Sequence, residues 1–510
     1  MTVRRRTFLQ LLGGAGLAAA LPGCSLLEEQ QTGEMVPSRA RLPRRFSVPL
    51  PVPPVARPVR STAEADFYSI TQRAADVELL PGLSTPILGY DGIFPGPTIV
   101  SRSGRRTVVE HRNELTVPTV VHLHGGHTPA ASDGGPLDLV LPVGGDDGTF
   151  AVHEGGEVTM GRREYDYPIT QRAATLWYHD HRMDFTGAAI YRGLAGFHLV
   201  HDDVEDALPL PREDRDIPLM LVDRSFDEDG ALQYPAVDPM MHDQPGVDAD
   251  HLEGVLGDVI LVNAAPWPVL EVAAVRYRFR VLNAANARGF ELALRPNPAR
   301  GFVQIGSDGG LLEAPVEHAT LRIAPGERMD VVVDFTEFAP GTEVTVVNLL
   351  GSGSTDAVMR FRVTRRQSDD TAVPARLSEV KPLQAPDEVT REFRFLRRRL
   401  PGGQGWSING LTYDPMRVDA EIPLDRVERW RLVTDVHHPV HVHLDPFQVL
   451  RRGPHGPGPY DGGWKDTLDL RGGESADIAV RFRDYAGHYV LHCHNLEHED
   501  LSMMATLAIG

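Results

Sequence analysis

His492-Cys493-His494-Asn495-Leu496-Glu497-His498, with Met503 shortly after, is the stretch that decides how this chain is read. Three imidazoles, one thiol and a thioether fall within twelve residues. A His₂Cys set with a weak axial Met is the donor combination of a blue-copper electron-transfer centre. Tyr489-Val490-Leu491, just upstream, reads as a strand, and side chains alternate faces along a strand. His492 and His494 then point one way and Cys493 the other. One short segment can therefore ligate two metal sites joined through adjacent backbone.

Working outward, three further histidine clusters occur: His122-Leu123-His124-Gly125, His179-Asp180-His181 after Leu176-Trp177-Tyr178, and His438-Pro439-Val440-His441-Val442-His443. In each His-x-His pair the alternation puts both imidazoles on one face. A single pair is more often a surface strand pair or a satisfied core residue. Four pairs from two regions of the chain are expected to enclose a metal cluster at a domain interface.

The remaining chain reads as all-β. Runs such as Arg106-Thr107-Val108-Val109-Glu110, Tyr277 to Leu282 and Asp330 to Phe335 alternate or are β-branched, bounded by Gly, Pro, Asn or Asp. No long helical period stands out, which favours Greek-key sandwiches. Polar stretches at Asp202 to Asp206 and at Arg365 to Asp370 divide the chain into domains near 60–203, 204–365 and 385–510. The clusters occupy the first and third; His242, His251 and His318 of the second lack ligand spacing. With 510 residues and a net charge of −19, the chain is large enough for about three domains and unsuited to nucleic acid. Its two cysteines, Cys24 and Cys493, make no disulfide framework.

Arg5-Arg6-Thr7-Phe8-Leu9-Gln10 resembles a twin-arginine export signal, and the apolar run 11–21 has the length of a signal core. Leu21-Pro22-Gly23-Cys24 resembles a lipoprotein-processing site with Cys24 as the lipidated residue, the alternative being a plain cleavable signal with an incidental cysteine. Residues 1–24 are thus expected to be a signal peptide, and the product exported to the cell surface or beyond. Residues 25–59, polar and then Pro-rich, read as an extended arm or tether.

The four histidine motifs resemble those of the multicopper oxidases, closest to three-domain bacterial laccases of the spore-coat type and to bilirubin oxidases. Further stretches agree: Gly92 to Thr98, Gln304 to Gly310, Asn263 with Trp267-Pro268, and Gly463-Trp464-Lys465-Asp466-Thr467. The resemblance implies three cupredoxin-like domains and four copper ions. By it, His438, Cys493, His498 and Met503 hold the type 1 copper, with Met504 the neighbouring alternative to Met503. His122 and His441 hold type 2. His124, His179, His181, His443, His492 and His494 hold the type 3 pair. The axial thioether implies a lower-potential member of the family.

It also implies proton-relay roles for Glu499, facing the dioxygen channel, and for Asp133, nine beyond His124. His437 departs from the usual small or polar residue and reads as a rim residue of the donor site or an exposed loop histidine. The loop Arg452 to Pro459, shorter than in the spore-coat enzymes it resembles, suggests an open donor site. His127, His153, His198, His201, His455 and His488 show no ligand spacing. The implied activity couples one-electron oxidation of phenols or aromatic amines to reduction of dioxygen to water. Alternatives are a bilirubin or o-aminophenol oxidase and a cuprous or manganous metallo-oxidase, the cuprous reading weakened by only twelve Met. The complete ligand set argues against a non-catalytic scaffold of the same fold. A monomer is expected.

Overall fold

The computed structural model describes residues 32–145, 150, 155–400 and 403–510. The twin-arginine motif, Cys24 and His153 lie outside the described residues. The architecture is three consecutive cupredoxin-like sandwiches, each of two packed sheets. The first pairs a five-stranded sheet around Ala65–Val77 with a four-stranded sheet in the order Gly96–Arg102, Ala195–His201, Ala174–Asp180, Val121–His124. The middle sandwich has seven-stranded and five-stranded sheets, and the third has two five-stranded sheets.

Strand chemistry explains the layers. In Glu428–Thr434 the residues Glu428, Trp430, Leu432 and Thr434 are buried while Arg429 and Arg431 face out, where they share Asp477. That period-2 pattern is a half-buried strand. The sheets are mixed rather than purely antiparallel: Ala65–Val77 runs parallel to Arg106–Asn113, and Arg391–Leu400 parallel to Glu428–Thr434. A parallel pair needs a long crossover. In the first sandwich the intervening chain supplies it by passing through Gly96–Arg102 of the opposite sheet.

The expected tether is a docked arm from residue 32 onward. Glu34–Val36 pairs in parallel with Val255–Gly257 of the middle sandwich, and Leu50 donates its amide to the Val269 carbonyl. Ala40 and Leu50 are buried in the largest apolar core. The arm then reaches the first sandwich, where Ala56 donates to the Thr98 carbonyl. The polar boundary stretches are also structured. Asp203–Asp206 is a short helix whose Glu205 is buried against Arg278 and Arg280, and Asp369 takes Arg215 and Arg276. Buried charge is tolerable only when paired.

Candidate metal centre

Two strand pairs, one from the first sandwich and one from the third, bring the histidines together. His122 lies opposite His179 in antiparallel register, and His441 opposite His492. Residues directly opposite in such a pair share a face. The two histidine faces meet across the interface between the sandwiches. Eight imidazoles converge there, in groups whose ligand atoms lie within 4.8 Å of one another: His122, His124 and His441; His124, His179 and His494; His181, His443 and His492. All eight are buried.

The second hydrogen-bonding nitrogen of most rings is already held. The Nδ1–H of His122 donates to the Asp133 carbonyl at 2.5 Å, that of His179 to the Asp180 carbonyl at 2.8 Å, and that of His441 to the Asp466 carbonyl at 2.9 Å. His443 Nδ1 meets Asp133 Oδ2 at 2.8 Å. Each leaves Nε2 for the cluster. His124 is reversed: its Nε2 meets Asp466 Oδ1 and Thr467 Oγ1, both at 3.1 Å, and its Nδ1 has no partner. Nε2 of His122, His179 and His441 and both nitrogens of His494 are likewise buried without a partner. Unpaired buried nitrogens carry a desolvation cost unless something binds them. Burial, then repulsion from neighbouring imidazoles, holds His122, His124 and His441 well below the usual histidine range, so they are neutral, the form that ligates metal.

On the other face of Gly487–Cys493, Cys493 Sγ lies 3.4 Å from His438 Nδ1 and 3.6 Å from His498 Nδ1, and those two nitrogens are 3.0 Å apart. All are fully buried, as is Met503 in the same apolar core. The Cys493 amide donates to the Met503 carbonyl at 3.1 Å. Met504 is in register with His492 and shares its face, which leaves Met503 on the Cys493 side. Burial pushes the Cys493 thiol well up. A thiolate there therefore needs a cation beside it. The Asn495 amide points at the sulfur at 3.4 Å, and His438 Nε2 is held by Asp435 at 3.1 Å.

Glu499 sits between two cluster histidines, its Oε2 3.1 Å from His492 Nδ1 and its Oε1 3.6 Å from His181 Nε2. Burial alone would raise its carboxyl, but His492 and His181 outweigh that and hold it near 2. Asp133, by contrast, is pushed by burial up to about 8. It also lies on the wall of a 330 Å³ cavity with Tyr413, His488 and Tyr489.

Two expectations about the electron-entry side are corrected. His437 is neither a rim nor an exposed residue: it is buried, with Nε2 2.7 Å from Asp469 Oδ1, a carboxylate on the paired strand that gives the ring a reason to turn inward. The mononuclear site is not open. Trp406 packs on His498 with ring centroids 3.7 Å apart, His498 Nε2–H donates to the Glu253 carbonyl at 3.2 Å, and Arg397 pairs with Glu253 above them. Just beyond the Arg452 to Pro459 loop, Tyr460 meets the middle sandwich, donating to the Thr320 carbonyl and packing at a tilt against His318, while Arg452 itself donates to the carbonyl of Asp469, the partner of His437. The other described histidines without ligand spacing take ordinary roles: His198 pairs with Ser101, His201 with Glu205 and His127 with Asp445 and Asp484, while His455 and His488 are exposed.

Residues that the motifs did not single out complete the surroundings. Asp308 and Asp466 lie inside stretches quoted above without a role; here they anchor Lys465 and Arg328. Trp406 and Glu253 carry no local signal, since each acts through a partner brought by the fold, whereas Asp435 stands only three residues before its partner His438.

Comparison with known proteins agrees with this chemistry. Multicopper oxidase family models match residues 72–205 and 382–510. A laccase from Bacillus stratosphericus is 37% identical over 91% of this chain and 99% of its own length. A bilirubin oxidase from Albifimbria verrucaria is 37% identical over 90% and 80%. The crystal structure of a multicopper oxidase from Pediococcus acidilactici superposes with a TM-score of 0.80 at 30% identity, covering 93% of each chain.

Proposed function

This chain belongs to the multicopper oxidase family and is a laccase-like, copper-dependent oxidoreductase; from that premise we propose a division of labour among its residues. Four copper ions are assigned: one to His438, Cys493, His498 and Met503, one to His122 and His441, and two to His124, His179 and His494 and to His181, His443 and His492. Copper held there supplies one-electron acceptance at the first site and four-electron delivery to dioxygen at the cluster. The observation that carries the reading is the single strand end that turns Cys493 to one donor set and His492 and His494 to the other.

The chain's own residues perform the rest. The backbone of His492-Cys493-His494 fixes the distance between electron entry and dioxygen reduction. Glu499, ionised between His181 and His492, accepts and returns protons beside the cluster. Asp133 holds His443 and His122 from the cavity side and, poised near neutral pH, passes protons toward solvent. The exposed edge near Trp406, Glu253 and Arg397 receives the donor, a phenol or aromatic amine. Export by the twin-arginine route, with a lipid anchor at Cys24, is assigned from the N-terminal motifs, and the enzyme is proposed to act as a monomer. The mass of the mature N-terminus tests the anchor.

The decisive experiment records dioxygen uptake by copper-loaded protein with a methoxyphenol, bilirubin, an o-aminophenol and cuprous ion in parallel. Uptake led by the phenol supports the assignment. Faster turnover of bilirubin would move the specificity to the second relative's substrate, and no uptake with any donor would refute the oxidase.

A further inference from the structure

The middle sandwich lends no histidine to the cluster, yet its turn between Thr320–Ile323 and Arg328–Asp334 reaches the cluster's edge. Arg328 is fully buried there and spends all five guanidinium hydrogens. Nε donates to the Thr175 carbonyl of the first sandwich at 2.9 Å. Nη1 donates to the Gly326 carbonyl at 3.1 Å and to Asp466 Oδ1 at 2.6 Å. Nη2 donates to the Asp308 carbonyl at 3.1 Å and to Asp466 Oδ2. One side chain thus ties all three sandwiches together at the cluster.

We propose that the Gly326–Arg328 turn is a positioning element of the trinuclear site, with Arg328 acting through Asp466 to set which nitrogen His124 presents. Asp466 receives Arg328 through both oxygens, a bidentate geometry that fixes the carboxylate plane. The fixed Oδ1 accepts from His124 Nε2 at 3.1 Å, and the Asp466 carbonyl takes His441 Nδ1 at 2.9 Å. With its Nε2–H engaged, His124 has its Nδ1 lone pair free for the cluster, the reverse of His122, His179 and His441. Thr467 Oγ1, itself donating to Asp466 Oδ1 at 2.9 Å, closes the same group.

Gly326 contributes independently. A Cβ at this position would stand 2.8 Å from His494 Cδ2, and the backbone is left-handed at φ +85°. His494 has no hydrogen bond on either ring nitrogen, so packing alone sets its angle. The bare face of Gly326 and the Trp177 ring, 5.5 Å centroid to centroid, are its seat. Groups that orient metal ligands typically change metal affinity about 10–100-fold when removed.

The inference rests on the ligand assignment proposed above. It is tested with copper-loaded Arg328→Met, Arg328→Lys, Gly326→Ala, Asp466→Asn and the Arg328→Met/Asp466→Asn pair. The readouts are copper per chain, the type 2 electron paramagnetic resonance signal, and the blue absorption of the Cys493 site as a control for folding. We expect Arg328→Met to keep its blue colour and lose at least tenfold in cluster copper affinity, with Arg328→Lys intermediate. The pair, which removes the unmatched buried charge, should show the same cluster defect as either single change rather than their sum. Gly326→Ala should alter the type 2 signal or cluster copper content with the blue band intact. Full cluster copper and an unchanged signal in Arg328→Met, or in the pair if the single variant does not fold, would overturn the role of Arg328. The same result in Gly326→Ala would overturn that of the glycine. Failure of the ligand assignment looks different, because the wild-type chain itself would then lack cluster copper.

Discussion

Asp133 Oδ2 lies 2.8 Å from His443 Nδ1, a contact that crosses from the first sandwich to the third. The Asp133 carbonyl holds His122 as well, so one residue orients histidines from both sides of the interface. Asp133→Ala removes only the carboxylate. We expect cluster copper affinity to fall about 10–100-fold, as is usual when a ligand's hydrogen-bond partner is lost. Copper analysis after dialysis against a graded chelator measures it. A variant that retains copper as tightly as wild type would show that His443 is held by packing alone.

Glu499 contacts His492 and His181 without a conventional hydrogen bond to either. A proton carrier so placed should matter to dioxygen reduction and not to the blue site. Glu499→Leu is predicted to lower turnover by about 100-fold or more, within the range for loss of general acid–base assistance. Its blue absorption should stay. Stopped-flow reduction of the blue band, compared with steady dioxygen uptake, separates the two halves, and equal uptake by variant and wild type would end the proton-relay role.

Trp406 packs at a tilt against His498 and donates its indole N–H to the Leu252 carbonyl at 3.1 Å. Trp406→Ala should cost about 3–5 kcal/mol of stability, as burial of a large aromatic is lost. It should also expose the His498 edge. The expected kinetic sign is a lower KM for bulky phenols with the KM for dioxygen unchanged, measured by varying each substrate in turn. An equal change in both would place Trp406 in the fold rather than at electron entry.

His127 links the first sandwich to the third by facing Asp445 and Asp484. Burial disfavours its charge, but the two carboxylates win and hold its pKa above the ordinary 6.5. A raised folded-state pKa adds stability that is complete below the unfolded value and vanishes as pH climbs through the folded one. The melting-temperature gap between wild type and His127→Gln should therefore be widest below about pH 6.5 and shrink as pH climbs above it. Differential scanning calorimetry across that range tests it; a gap that widens with pH would reverse the assigned charge.

The parts of this site that the sequence made legible are those encoded locally. Strand alternation around Cys493 and the His-x-His pairs needs no knowledge of the fold, because two residues on one strand share a face whatever lies opposite. What could not be read depends on contacts between distant residues. Arg328 meets Asp466 across 138 positions, and Trp406 meets His498 only after the third sandwich closes. His437 looked like a loop residue because nothing nearby in the chain announces Asp469, 32 residues on, as its partner. The arm misled for a similar reason. Its proline-rich composition describes an extended chain correctly but does not say that the middle sandwich offers an edge to receive it.

That docking has a directional consequence. Thr32 hydroxyl accepts from the Asn495 side chain at 3.2 Å, so the arm touches the very loop whose amide addresses the Cys493 sulfur. The footing of the arm on the Cys493 loop thus couples its docking on the middle sandwich to the electron-entry end of the molecule.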